Sequence, residues 1–421
     1  MSMTARQKIV CTFSALTMIL MLHACSDGSE TSDKVAQQVQ QAPQVEQSRN
    51  KPSASPAPGG GAGAEAPQER PLKIGVIGPE SGTDSEYGKQ VLAGILAAAK
   101  RFNAEGGIGG SPIEVINIDN KGDPELTNRG VAYLIRQGVI GILSAPTGWS
   151  TFAPVHRVNS SKTIFISIGS RRRIERSGPY IFRTALPDEM ATDELIAYAS
   201  EALGYENYAL VGSSDYSYSL DISSLFKRAV LKHGGTISVE TDTYDTYLGS
   251  RNLLPAIDAI KNDVDKLQAV IFTGGAEEAA LFAKGLRDAG VNLPIIGSED
   301  LSDEGYLKEC RNRKGSLFYA SYSLLDHSPE MDRFRKDVGM KNPDRFSALA
   351  YDSFMLLAEA IKAAGSTDSA RVRDALIRSE GYVGVTGRTS FTEGGMPVKH
   401  PFIYGVKSGD GSKGFVLLKH Q

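Results

Sequence analysis

The chain is poor in cysteine and histidine and carries no excess of either charge. Only Cys11, Cys25 and Cys310 occur in 421 residues, too few and too scattered for a disulfide framework or a cysteine-rich zinc site. Lys and Arg number 46 against 49 Asp and Glu, a formal net charge of -3, so no basic excess is available to neutralise the phosphates of a nucleic acid. The 6 histidines form no i, i+4 pair and no H-E-x-x-H helix, and read as solvated helix or loop residues. Phosphate-binding motifs are missing too. Gly75-Val76-Ile77-Gly78-Pro79-Glu80-Ser81-Gly82 follows an apolar run as a nucleotide loop would, but its glycines miss the G-x-G-x-x-G spacing and Pro79 removes an amide donor. No G-x-x-x-x-G-K-[ST] is present, and Gly148-Trp149-Ser150-Thr151-Phe152 lacks the second glycine of a nucleophile elbow. No cofactor or metal is expected, and enzymatic chemistry has no signal.

What the amino terminus does carry is an address. Arg6 and Lys8 precede an apolar stretch, Ile9 to Leu22, that is short for a permanent membrane span and suits a signal peptide over residues 1–24. Its end, Leu22-His23-Ala24-Cys25, resembles a lipobox, with cleavage before Cys25 and lipid attached to its sulfur. Two or three acyl chains, at about 0.8 kcal/mol per buried methylene, would hold the protein on a membrane. Ser26 directly after the cysteine is compatible with outer-membrane sorting, which would sit awkwardly with an inner-membrane importer. Residues 25–70 then form a Gln-, Pro-, Ser-, Ala- and Gly-rich stretch that cannot bury enough apolar surface to order itself, and reads as a flexible tether. With Cys11 removed and Cys25 occupied, Cys310 is the remaining thiol. It lies in Lys308-Glu309-Cys310-Arg311 and reads as a surface or half-buried residue rather than a nucleophile.

From about Pro71 the pattern changes to short apolar strands alternating with amphipathic helices. Leu72 to Ile77, Ile113 to Asp119 and Val139 to Leu143 read as strands, with helices from Ser85 to Asn103 and from Asp123. A second series follows Tyr180-Ile181-Phe182-Arg183. Its strands are Tyr208 to Val211, Thr236 to Glu240, Ala269 to Phe272 and Pro294 to Ile296; its helices are Asp188 to Leu203, Leu220 to His233, Arg251 to Asn262 and Ala276 to Ala289. Helices at Phe346 to Ala363 and Ser369 to Arg378 precede a closing strand pair, Phe402 to Lys407 and Gly414 to Leu418. This is the signature of an α/β fold with two doubly wound parallel-sheet lobes. Such sheets bind ligands at the carboxyl ends of their strands, so a cleft between the lobes is the expected site for a small molecule.

Several ordered motifs carry a family resemblance. Ile74-Gly75-Val76-Ile77-Gly78-Pro79-Glu80-Ser81-Gly82, Glu86-Tyr87-Gly88, Phe102-Asn103-Ala104-Glu105-Gly106-Gly107-Ile108-Gly109-Gly110, Asp119-Asn120 and Asp123-Pro124 open the series. Phe165-Ile166-Ser167-Ile168-Gly169-Ser170, Tyr180-Ile181-Phe182-Arg183-Thr184, Asp215-Tyr216-Ser217-Tyr218-Ser219 and Ile296-Gly297-Ser298-Glu299 continue it. Over residues 71–421 the chain resembles the leucine/isoleucine/valine-binding proteins, type I periplasmic solute-binding proteins of ABC transporters. The resemblance implies two lobes joined by three crossovers, near Ala185-Leu186, Tyr319 to Ser323 and Gly394 to Pro397. Lobe 1 would be 71–185 plus 322–394, and lobe 2 would be 186–321 plus 395–421.

For an amino-acid ligand the resemblance implies a carboxylate held by Thr147, Gly148 or Ser150 after the third strand and by Gly169 and Ser170 after the fourth. Tyr87 would line the side-chain pocket, Tyr218 would close from lobe 2, and Glu299 would pair with the ligand ammonium; ordinary packing for the tyrosines and a solvated or capping role for the acid stand as alternatives. Arg171 departs from the family pattern. If it enters the cleft it favours a ligand with an extra carboxylate or a phosphate, whereas with Arg172 and Arg173 it could equally face solvent. Thr273-Gly274-Gly275-Ala276 lacks an aromatic found there in relatives, which would enlarge the pocket. The implied protein is a monomeric, extracytoplasmic solute-binding lipoprotein working with an ABC permease. The rivals are a sensing or envelope-assembly lipoprotein that uses the same fold without transport, and an enzyme.

Overall fold

The computed structural model describes residues 71–146, 150–169, 176–214, 217–244, 252–310, 313–324, 328–340, 343–407 and 414–420. Cys25, Thr147, Gly148, Ser170 and Arg171 to Arg173 lie outside these ranges. Strands β1 (Leu72–Gly78), β2 (Ile113–Asp119), β3 (Gly141–Ser144), β4 (Ile164–Ser167) and β5 (Ile181–Arg183) form one parallel sheet in the order β2-β1-β3-β4-β5. Strands β3 and β4 are buried along their whole length because helices cover both faces, which is why they read as unbroken apolar runs. The helices of this lobe are α1 (Ser85–Ala104), α2 (Pro124–Arg136) and α3 (Val155–Ser161). Asp123 starts α2 by accepting the Leu126 amide at 2.8 Å, with Pro124 in the first turn, where a missing N–H costs nothing.

The chain then crosses to a second sheet through α4 (Asp188–Leu203), β6 (Asn207–Ser213), α5 (Ser217–Lys232), β7 (Thr236–Tyr244), α6 (Leu254–Asn262), β8 (Ala269–Phe272), α7 (Ala276–Asp288), β9 (Ile295–Gly297), α8 (Glu304–Cys310) and β10 (Leu317–Ala320). It returns with α9 (Pro329–Val338), α10 (Arg345–Ala364), α11 (Ser369–Arg378) and a small sheet of β11 (Tyr382–Gly384), β12 (Gly387–Phe391) and β13 (Pro397–Val398). Finally β14 (Phe402–Val406) and β15 (Phe415–Lys419) close the second sheet, ordered β15-β14-β10-β9-β8-β6-β7. The second sheet is mixed, since β14 runs antiparallel to β10 and β15 antiparallel to β14. For β14 and β15, consecutive strands joined by a short loop, only that direction is possible.

Packing separates the lobes. One cluster joins β1, β3, β4 and α1 to Phe354, Leu357 and Ile361 of α10. In the second sheet the residue-by-residue alternation sends Ala209, Val211, Val270 and Phe272 to one cluster and Tyr208, Leu210, Ala269 and Ile271 to another on the opposite face. Helices α1 and α10 touch backbone to backbone at Gly94, where a Cβ would stand 2.2 Å from the Ser347 carbonyl oxygen. Among the described residues no helix is long and apolar enough to cross a membrane.

All three passages between the sheets meet at one buried polar cluster. Asp352 of α10 accepts the amides of Val385 (3.2 Å) and Thr386 (2.7 Å) and the Thr386 hydroxyl. Lys399, in the third passage, donates to Thr386 Oγ1 at 2.6 Å and to the Thr184 carbonyl of the first passage at 3.4 Å. Ser353 donates to Thr184 Oγ1 at 2.8 Å, and Ser323 of the second passage donates its amide to the Val385 carbonyl at 3.1 Å. Burial pushes the Lys399 ammonium down to about 8, only partly opposed by the Asp352 charge. Burial likewise raises the Asp352 carboxyl, against the lowering effects of Lys399 and the Thr386 and Val385 hydrogen bonds.

Candidate functional site

In each sheet the strand order reverses once, between β1 and β3 in the first and between β6 and β8 in the second, and a crevice opens beyond the strand ends at such a point. Tyr87 follows β1 in the first turn of α1, and Ser150 follows β3 in a short 3-10 turn, Ser150–Phe152. Gly169 follows β4, and Glu299 opens a 3-10 turn, Glu299–Ser302, just after β9. A small cavity of about 50 Å³ lies where the two lobes face each other, lined by Gly169, Ala185, Leu349 and Phe346 from one side and by Leu186, Asp188, Tyr319 and Ser321 from the other, with Glu299 and Arg345.

Glu299 presents both carboxylate oxygens to protein donors in this cavity. Its Oε2 accepts both the Ser321 amide at 3.0 Å and the Ser321 hydroxyl at 2.7 Å, while Oε1 is paired with Arg345 Nη1. Only 10% of the Glu299 side chain is exposed, against 36% for Arg345. The Arg345 guanidinium lies 4.8 Å from the centre of the Phe346 ring. That ring in turn meets Tyr87 at 5.0 Å and rests on Gly169, where a Cβ would come within 3.0 Å of it. Close by, burial and then the charges of Glu299 and Asp344 push the Tyr322 phenol up to about 12.

Tyr87, Gly169 and Glu299 therefore share one neighbourhood, with Phe346 joining the first two. Ser150 is buried just beyond β3 and does not line the cavity. Tyr218 is half-buried in the first turn of α5 and packs on the cluster of α4, α5 and the second sheet. Thr147, Gly148, Ser170 and Arg171 lie outside the described residues. The residues missed in the sequence are Ser321, Arg345 and Phe346. Asp344 caps α10 by accepting the Phe346 and Ser347 amides at 2.8 Å, but no local sequence pattern tells which side of that helix start meets the other lobe.

Other candidates fall away from the site. Cys310 is fully buried rather than at the surface; its thiol donates to Tyr306 Oη at 3.1 Å, and burial pushes its pKa up. Three histidines are more engaged than solvated residues would be, while His156 is exposed as read: His233 contacts Asp193 at 3.1 Å, His400 contacts Glu194 at 2.5 Å, and His420 stacks on Phe402 at 3.6 Å. Among the described residues no group of three His, Cys, Asp or Glu could hold a metal ion.

Comparison with known proteins places this architecture. A family model described as periplasmic binding protein matches residues 71–412. The Leu/Ile/Val-binding protein BraC3 of Rhizobium johnstonii is 24% identical over 330 residues, covering 77% of this chain and 88% of its own. A putative branched-chain amino acid ABC transporter structure from Rhodospirillum rubrum superposes with a TM-score of 0.74 at 23% identity, over 83% of this chain and 100% of that one. An ABC-transporter solute-binding protein from R. palustris, in complex with 4-hydroxybenzoate, superposes with a TM-score of 0.63 at 19% identity, over 83% and 96%. The chain belongs to the periplasmic binding protein family, whose members bind small solutes rather than transform them.

Proposed function

We propose that this chain captures an amino acid or a related small polar metabolite between its two lobes, outside the cytoplasm, and delivers it to an ABC permease. The observation that carries this reading is the meeting of Gly169, Phe346, Glu299, Arg345 and Ser321 from both lobes around one cavity at the strand ends. At about 50 Å³ that cavity is smaller than ligand pockets of about 300 Å³ or more, so capture requires the lobes to part and close again. Ligand that touches both lobes shifts the balance toward the closed form, which a permease can recognise. Relatives support solutes of this size, since one is named for leucine, isoleucine and valine and another is complexed with 4-hydroxybenzoate. Tyr87 supports the pocket wall through its contact with the Phe346 ring. The family resemblance adds Thr147, Gly148, Ser150, Ser170, Arg171 and Tyr218 to the proposed set; Ser150 and Tyr218 do not line this cavity, and the other four lie outside the described residues. Cys25 holds the protein on a membrane through attached lipid, a reading supported by the Leu22-His23-Ala24-Cys25 sequence.

A thermal-shift screen of amino acids, amides and mono- to tricarboxylates tests the binding role. A true ligand at about 100 times its dissociation constant adds about 2.7 kcal/mol and raises the melting temperature, whereas the absence of any shift across the set would remove the reading. Intact-mass measurement of protein extracted from membranes tests the anchor: an unmodified Cys25 would rule it out.

A further inference from the structure

We infer that Arg345 supplies from within the chain the positive charge that faces Glu299, and that the site consequently takes a small organic acid without an α-ammonium group in preference to the corresponding free α-amino acid. The inference rests on the interlobe site proposed above and names the class of its ligand.

The carboxylate of Glu299 has about four lone-pair positions, and three are filled by the protein itself: the Ser321 amide, the Ser321 hydroxyl and Arg345 Nη1. An ammonium group would have to share the carboxylate with these donors or displace one of them. Its nearest competitor, the guanidinium, is a permanent cation, so the incoming charge would meet a like charge at contact distance in a largely buried setting. A ligand lacking that group avoids the conflict and leaves the pair intact.

The position of Arg345 is not explained by helix formation. It is the first residue of α10, where the helix dipole disfavours a cation. The orphan amides at that end are met by Asp344 through Phe346 and Ser347, so Arg345 contributes nothing to the cap. Instead it reaches from the helix packed on the first sheet to the loop after β9 of the second, and the ring of Phe346, itself a wall of the cavity, lies beside its guanidinium. A residue that opposes its local preference and is paired across a cleft is placed by the site rather than by the helix.

Calorimetric titration of the purified full-length chain with matched pairs tests this: phenylalanine against 3-phenylpropanoate, leucine against 4-methylpentanoate, and glutamate against glutarate. The expected result is that, in every pair with a binding member, the acid without the amine binds about tenfold or more tighter, and that Arg345→Met shifts the ratio about tenfold or more toward the amino acid by releasing Glu299. Tighter wild-type binding of the amino acid overturns the inference, as does a ratio that Arg345→Met leaves unchanged. If that variant does not fold, judged by circular dichroism, the wild-type ratio alone decides. Binding of an uncharged solute instead of either member would overturn the acid class while leaving the interlobe site standing. Binding that survives Gly169→Leu undiminished would instead remove the site itself.

Discussion

Gly169 shows how one residue shapes the cavity wall. Its φ of +74° is left-handed, and a Cβ would stand 3.0 Å and 3.1 Å from two carbons of the Phe346 ring. Two costs are therefore expected from Gly169→Ala: about 1 kcal/mol for the backbone conformation, and displacement of Phe346 from Tyr87 and Arg345. Gly138→Ala separates them, because Gly138 has nearly the same φ, +73°, with nothing within 4 Å of its Cβ position. Urea unfolding should show both variants destabilised, while ligand affinity should fall only for Gly169→Ala. Equal affinities in the two variants would show that the Phe346 ring is no part of the site. Glu299 was legible as an acid that follows an apolar strand, whose end fixes where the backbone leads, and Gly169 only through the family resemblance. Arg345 and Ser321 were not, because they reach Glu299 from 46 and 22 residues away along the chain. The pairing of β9 with β10 brings Ser321 to Glu299, and the meeting of the two lobes brings Arg345 there.

At the scale of elements, periodicity recovered the long, half-buried helices and the fully apolar strands. The helix Asp188–Leu203 and the strand Ala269–Phe272 fall where the pattern puts them. Helix α9 was missed although Ser328 caps it and Pro329 follows, because only Met331 and Phe334 are buried in a segment otherwise charged. The small sheet β11-β12-β13 was missed for a related reason: its strands are two to five residues long, too short to establish an alternation. Yet this sheet holds Val385 and Thr386 between β11 and β12, directly over Asp352. Both Asp352 oxygens act as acceptors there, and an amide would turn a donor toward backbone N–H groups. Asp352→Asn should therefore lower unfolding free energy by about 3 kcal/mol, since it also strips the buried Lys399 of its counter-charge. Chemical denaturation measures this, and a loss within about 0.5 kcal/mol, typical of surface positions, would show that the cluster does not hold the small sheet to α10.

For the molecule as a whole, the same cluster ties together the only three chain passages between the sheets among the described residues, and Lys399 makes that tie sensitive to pH. The sign follows from its depressed pKa. Burial lowers the folded ammonium to about 8 from an ordinary 10.5. Below about pH 8 both folded and unfolded chains hold the proton, and the cost of burying the charge is present in full. Between about 8 and 10.5 the unfolded chain holds the proton and the folded chain has released it, so stability from this group rises with pH. At about 1.36 kcal/mol per unit the rise across the window is about 3 kcal/mol. Contributions from every other group cancel in the difference between wild type and Lys399→Met. That difference in unfolding free energy, measured by urea titration at pH 7, 8, 9 and 10, should stay flat below pH 8 and then move steadily in favour of wild type. A second signature belongs to the variant alone. Without the ammonium, burial acts on Asp352 with less opposition, its carboxyl rises further, and Lys399→Met should gain stability on acidification relative to wild type. A difference that is flat from pH 7 to 10 would mean that Lys399 keeps an ordinary pKa, and that the joint between the lobes is accessible to water rather than sealed around a buried charge.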